Sequence, residues 1–142
     1  MRIDILNLQD KIGVDEKKIK KISRSALEGM GEDEAELSLL LVDDSYIRKL
    51  NKKYRGSDYK TDVLAFAMRD GEGVPPDSPI LGDVVISVET AKREAINRKR
   101  KFDEEMNLYI VHGILHLLGY EDETAEKKKT MESKEKELLE RI

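Results

Sequence analysis

Residues 104–122 read EEMNLYIVHGILHLLGYED, and the fold is decided there. Between Glu104 and Leu118 the residues Leu108, Ile110, Val111, Ile114, Leu115, Leu117 and Leu118 leave almost no polar face. A helix apolar nearly all round belongs at the centre of a molecule rather than on its surface. Asp103 is placed to cap it and Gly119 to break it. The only two histidines of the chain, His112 and His116, stand on this helix. Residues four apart share a helix face, so both imidazoles can address one metal ion. Two histidines scattered at random fall at that separation roughly once in seventy placements. The alternative is a pair of core histidines bonded to neighbouring groups, and burying two unliganded imidazoles side by side is costly.

Working outward, Val84 to Ser87 reads as a strand, with a basic helix from about Val88 to Arg100 between it and the histidine helix. Val63 to Met68 is another strand. The next dozen residues hold all three prolines, Pro75, Pro76 and Pro79, an irregular loop of the length that often carries function. Asp44 and Ser45 open a helix with Ile47, Leu50 and Tyr54, stopped by Gly56. Leu37 to Val42 reads as a strand buried on both faces. Asp15 caps a helix whose stripe is Ile19, Ile22, Ala26, Leu27 and Met30, with Gly31 at its end. Ile3 and Ile5 alternate with polar residues in an N-terminal strand. A charged helix from about Thr124 to the C-terminus has Met131, Leu138 and Leu139 for docking. Four strands and about five helices, with no repeat and no linker, make one α+β domain over residues 1–142.

The chain has no cysteine, which excludes disulfides and thiolate metal clusters. No stretch is apolar for long enough to span a bilayer and no signal-peptide pattern is present, so a cytoplasmic protein with no membrane association is expected. A net charge of -4 argues against blanket binding to nucleic acid and leaves room for a local basic patch. Two clusters qualify: Arg98-Lys99-Arg100-Lys101 with Lys92-Arg93, and Lys52-Lys53-Arg55 with Lys60. Either can equally be a solvated helix face. Charged residues make up 39% and glutamine occurs only at Gln9, a balance like that of thermophilic proteins.

After the histidines, Gly119 lies seven residues beyond His112 and Asp122 ten beyond it. Metzincin proteases place a glycine and their third ligand at those offsets, so a zincin-like metal helix is expected. Two ligands sit on the last turns, the glycine reverses the chain, and the third returns. Three protein ligands leave one position open, the mark of a catalytic rather than a structural site. Glu121 rivals Asp122 for the third place, its side chain being one methylene longer. One residue departs from the protease pattern: their general base is a Glu directly after the first His, and here that position is Gly113. Peptide hydrolysis by that route is therefore not expected.

The run His112-Gly113-Ile114-Leu115-His116-Leu117-Leu118-Gly119-Tyr120 closely resembles the signature H-G-x-L-H-L-x-G-Y-D-H of the bacterial YbeY family of ribosomal RNA maturation endoribonucleases. Leu50-Asn51 with Tyr54-Arg55, and Thr61-Asp62-Val63-Leu64-Ala65-Phe66, resemble its L-N-x-x-Y-R and T-D-V-L-S-F segments. Leu81-Gly82-Asp83-Val84-Val85-Ile86-Ser87 resembles its L-G-D-I-x-I-S strand. The resemblance runs from about Asp43 to the end. It implies a small mixed four-stranded sheet packed with helices, and a zinc-dependent endoribonuclease specific for single-stranded RNA. It further implies 3′-end maturation of 16S ribosomal RNA, ribosome quality control, and the ribosome or its small subunit as partner. The metal residues carry over as His112 and His116, and the functional arginine as Arg55, which on its own reads more readily as a solvated residue at a helix end. The family's third histidine falls on Asp122. Two imidazoles and a carboxylate still suit catalytic zinc, and the carboxylate opens the site to other divalent metals. The expected catalytic residues are Arg55, His112 and His116, and the expected ligands His112, His116 and Asp122. A metzincin-type metalloprotease and a non-catalytic ribosome-binding module are the competing functions.

Overall fold

The alternation of Ile3 and Ile5 becomes β1 (Arg2–Asn7), the first strand of the computed structural model, which describes every residue from Met1 to Ile142. There follow α1 (Glu16–Gly29), β2 (Glu36–Val42), α2 (Asp44–Arg55), β3 (Val63–Ala67), β4 (Ile80–Ser87), α3 (Val88–Asn97), α4 (Phe102–Leu117) and α5 (Ala125–Glu140). The sheet order is β1-β2-β4-β3. β1 and β4 run parallel to β2, and β3 is antiparallel to β4 at the edge. The sheet is therefore mixed and four-stranded, with five helices around it, as expected.

Period-two patterning sorts the side chains. Ile3, Leu37, Leu39, Leu41, Val84 and Ile86 point into the main core with α1, α3 and α4, joined by partly buried Val63 and Ala65. The opposite face holds a small cluster of Val42, Ile47, Leu64 and Val85 beneath α2, with Leu40, Leu50 and Phe66 against it. β2 is thus covered on both faces but unequally: Leu37, Leu39 and Leu41 are buried, whereas Ser38 and Leu40 are only half-buried. A single short helix is too small to cover the second face.

The helix ends follow local chemistry. Asp15 accepts from the Lys18 amide at 3.2 Å and Asp43 from that of Tyr46 at 2.8 Å, each an N-cap. α4 begins two residues before the expected start. Its cap is Lys101, whose amide donates to Glu104 at 3.1 Å, and Asp103 lies inside the first turn. α4 is also not uniformly apolar: Glu105, Tyr109, His112 and His116 form one polar line at spacings of four, three and four. α5 docks through Met131 and Leu138, both buried, with Leu139 half-buried beside them. The proline loop is tied down by Arg69, which holds both Glu32 oxygens at 2.9 Å and the Ser78 carbonyl at 2.8 Å. No helix is long and apolar enough to cross a membrane.

Candidate metal centre

α4 turns His112 and His116 toward one point, their Nε2 atoms 3.0 Å apart and their rings edge to face. The helix stops after Leu117 because the chain reverses at Gly119, whose φ of 95° is left-handed backbone that a side chain resists. The Tyr120 amide closes the turn on the Leu115 carbonyl at 3.0 Å. The returning segment brings an Asp122 oxygen to 3.9 Å from each Nε2. The three donors lie within 4.8 Å of one another. Donors at tetrahedral zinc bond lengths stand roughly 3.3 Å apart, a value that the three sides of this triangle bracket. The residues therefore fit one small divalent ion without rearrangement of the backbone.

Behind the triangle, Glu135 of α5 accepts a hydrogen bond from Nδ1 of His112 at 2.6 Å. With its proton held at Nδ1, a neutral His112 must present a lone pair at Nε2, the atom facing His116 and Asp122. Burial pulls the His112 pKa down, but the hydrogen bond and charge of Glu135, with Asp62 and Asp122, outweigh it and leave the pKa raised. His116 has the opposite balance: burial and the neighbouring His112 lower its pKa against the pull of Asp122. The two imidazoles thus differ in direction, His112 favouring the protonated form more than a free imidazole does and His116 less.

Glu135 was not among the expected site residues, yet the sequence carries a signal for it. Met131, Glu135 and Leu138 share one stripe of α5, so a carboxylate occupies a position on an otherwise apolar docking face. Only tertiary packing supplies its partner, 23 residues away on α4. Glu121, the rival ligand, is turned outward and pairs with Lys127 at 2.9 Å, which leaves Asp122 in the triangle. Gly113 lies on the side of α4 nearest the sheet, where any side chain would collide with Val84 and crowd Val63. That explains the glycine independently of chemistry, because the helix approaches the sheet too closely for a Cβ.

Arg55 reaches from the end of α2 across the edge strand and donates to the Ala65 carbonyl at 2.9 Å. It is close enough for its charge to lower the His116 pKa. His112 also borders a hollow of about 410 Å³ lined by Asp62, Arg98, Tyr109, Asp122 and Lys128 among others. The proline loop contributes nothing to it. In the first basic cluster Arg93 pairs with Asp44, and Arg98 and Arg100 flank the buried Glu105, while Lys92, Lys99 and Lys101 have no carboxylate partner. In the second, Lys52 leans toward Asp58 and Lys60 toward Asp44, but Lys53 and Arg55 have no carboxylate partner.

Fold and site together define an α+β protein with a three-donor candidate metal centre carried on a buried helix. The sequence model of the family described as Endoribonuclease YbeY matches residues 4–142, and the chain belongs to that family. A relative from Pelotomaculum thermopropionicum named Endoribonuclease YbeY is 46% identical, covering 100% of this chain and 97% of the relative. One of the same name from Bacillus licheniformis is 42% identical over 96% of this chain and 94% of its own length. The solution structure of the Thermotoga maritima protein TM1509 superposes with a TM-score of 0.68 at 27% identity, over 98% of this chain and 87% of that one.

Proposed function

We propose that this protein is a metal-dependent endoribonuclease that cuts single-stranded RNA at the His112–His116–Asp122 centre. The observation that carries the reading is the convergence of those three donors, with Glu135 behind His112, in a chain whose family and relatives bear the name endoribonuclease. Zinc suits two imidazoles and a carboxylate, and the charge of Asp122 leaves other divalent ions admissible. The substrate proposed is small-subunit ribosomal RNA, at the 3′ end of the 16S species, in the cytoplasm. The ribosome or its small subunit is the proposed partner, and ribosome quality control the setting.

When bound, the ion supplies Lewis acidity toward water and toward a phosphoryl oxygen. The chain's own residues do the rest. Glu135 fixes the tautomer of His112 so that a lone pair, not an N–H, faces the ion. Arg55 places a guanidinium beside the centre, where charge builds on phosphoryl oxygens in the transition state. One of its donors is held by the Ala65 carbonyl, which fixes its position and leaves other N–H groups for phosphate.

Proteolysis is disfavoured by two features. A carboxylate at position 113 would meet Val84 rather than the ion. The sheet edge beside the centre, a natural template for an extended peptide, is only five residues long and has its Ala65 carbonyl occupied by Arg55. The test is to refold nuclease-free protein with zinc and measure metal content and cleavage of a single-stranded oligoribonucleotide. Near one equivalent of zinc and zinc-dependent cleavage are expected. His112→Ala should lose both, and Arg55→Ala should keep the metal and lose about a hundredfold in rate. Metal binding without cleavage would favour the ribosome-binding module, and peptide hydrolysis the protease.

A further inference from the structure

Beside Arg55 lies a pair of aromatic rings, of which the core requires only one. Tyr54, on the last turn of α2, is 58% exposed. Its ring meets Phe66 of β3 edge to face, with centroids 5.5 Å apart. The small cluster beneath α2 is already closed by Leu40, Leu50 and Phe66, and Tyr54 takes no part in it. Because β3 is the edge strand, no further strand covers this side of the pair. A large aromatic side chain left so exposed on a short helix costs solvation and adds little packing.

The surroundings say what would cover it. Lys53 Nζ stands 5.2 Å from the Tyr54 ring centroid, and the Arg55 guanidinium carbon 5.9 Å from that of Phe66. Neighbouring Arg48 and Lys52 are drawn to Asp58, whereas Lys53 and Arg55 meet no carboxylate. Aromatic rings interleaved with uncompensated cations, in a protein of net charge -4, favour a ligand with flat faces and a negative backbone. Arg55 also links this strip to the metal centre, since it donates to the Ala65 carbonyl of β3, the strand whose Val63 packs against the histidine helix at Gly113.

We infer that Tyr54 and Phe66 form a stacking platform for an unpaired base of single-stranded RNA, with Arg55 holding the phosphate between that base and the metal centre. The platform rests on the ribonuclease reading and deepens it. It selects single strands because a base in a duplex has both faces occupied by its neighbours. Sequence preference at this position is weak, since every base has a face to stack.

The test is binding of a fluorescein-labelled uridine decamer to metal-free protein, followed by anisotropy. Tyr54→Ala is expected to weaken binding by about tenfold to a hundredfold. The chain contains no tryptophan, so Tyr54→Trp creates a single reporter on the platform. That variant should bind at least as tightly as wild type. Its fluorescence should be quenched by the decamer and not by an abasic ribose-phosphate chain of the same length. Binding by Tyr54→Ala within twofold of wild type, or an unquenched tryptophan at saturation, overturns the platform alone. Failure of the wild-type protein to bind the decamer overturns the platform and the ribonuclease reading together.

Discussion

Glu135 and His112 form the shortest side-chain contact at the candidate centre, and it is a contact that orients rather than ligates. Carboxylates behind metal-ligating imidazoles set the tautomer and raise ligand basicity. Glu135→Gln keeps the shape and removes the charge, and should weaken zinc binding by about tenfold to a hundredfold in competition with a chromophoric chelator. Unchanged affinity would mean that the tautomer is set elsewhere. The two histidines also pull the metal-free protein in opposite directions with pH. The raised pKa of His112 contributes stability below the ordinary value of 6.5, and that contribution is lost as pH rises through its elevated folded value. The lowered pKa of His116 favours its neutral form, so His116 costs stability as pH falls below 6.5.

At the scale of elements, what matters is how closely α4 approaches the sheet. Gly113 permits that approach, so Gly113→Ala must push α4 away from Val84 or force Val84 off its rotamer. A loss of about 1–3 kcal/mol in urea unfolding is expected, and a neutral substitution would show that the helix has room to shift. The start of α2 is held to that of α3 by Asp44. One of its carboxylate oxygens accepts from Ser87 and Thr90, both at 2.7 Å, and the other from Arg93 at 3.1 Å. Burial alone would raise the Asp44 pKa, but the Thr90 and Ser87 hydroxyls and the Arg93 guanidinium hold it below 3.8. Its contribution to stability is therefore present above 3.8 and lost as pH falls through the depressed folded value. Asp44→Asn should lower stability at neutral pH and flatten the acid limb of the stability curve. An acid limb as steep as that of wild type would assign the effect to other carboxylates.

For the whole molecule, the candidate centre joins α4 to the segment leading into α5, and Glu135 brings α5 itself into the same unit. An ion bound there would stabilise the native state by mass action, about 2.7 kcal/mol at a hundredfold excess over its Kd. For a chain of this length that raises Tm by roughly 5–10 °C in a calorimetric scan with zinc. His112→Ala should abolish the rise. A rise retained in that variant would place the ion elsewhere. The ion pairs suggested by the composition are mostly exposed, as between Lys18 and Asp103, and each adds little by itself.

Much of this was legible in the sequence because it depends on local patterns. The buried helix, the His112–His116 face, the turn at Gly119 and the return of Asp122 all follow from helical periodicity and one glycine. The mixed sheet was implied by family resemblance rather than by periodicity, since alternation along a strand says nothing of its neighbour's direction. Three features were decided only by the tertiary structure. Glu135 meets His112 because α5 docks on α4, a contact between segments that no local rule connects. Glu121 stands outside the three-donor triangle and pairs with Lys127, which depends on how α5 begins. Gly113, read first as a missing base, is a packing residue, because the distance between helix and sheet is set by the whole core and not by the helix alone.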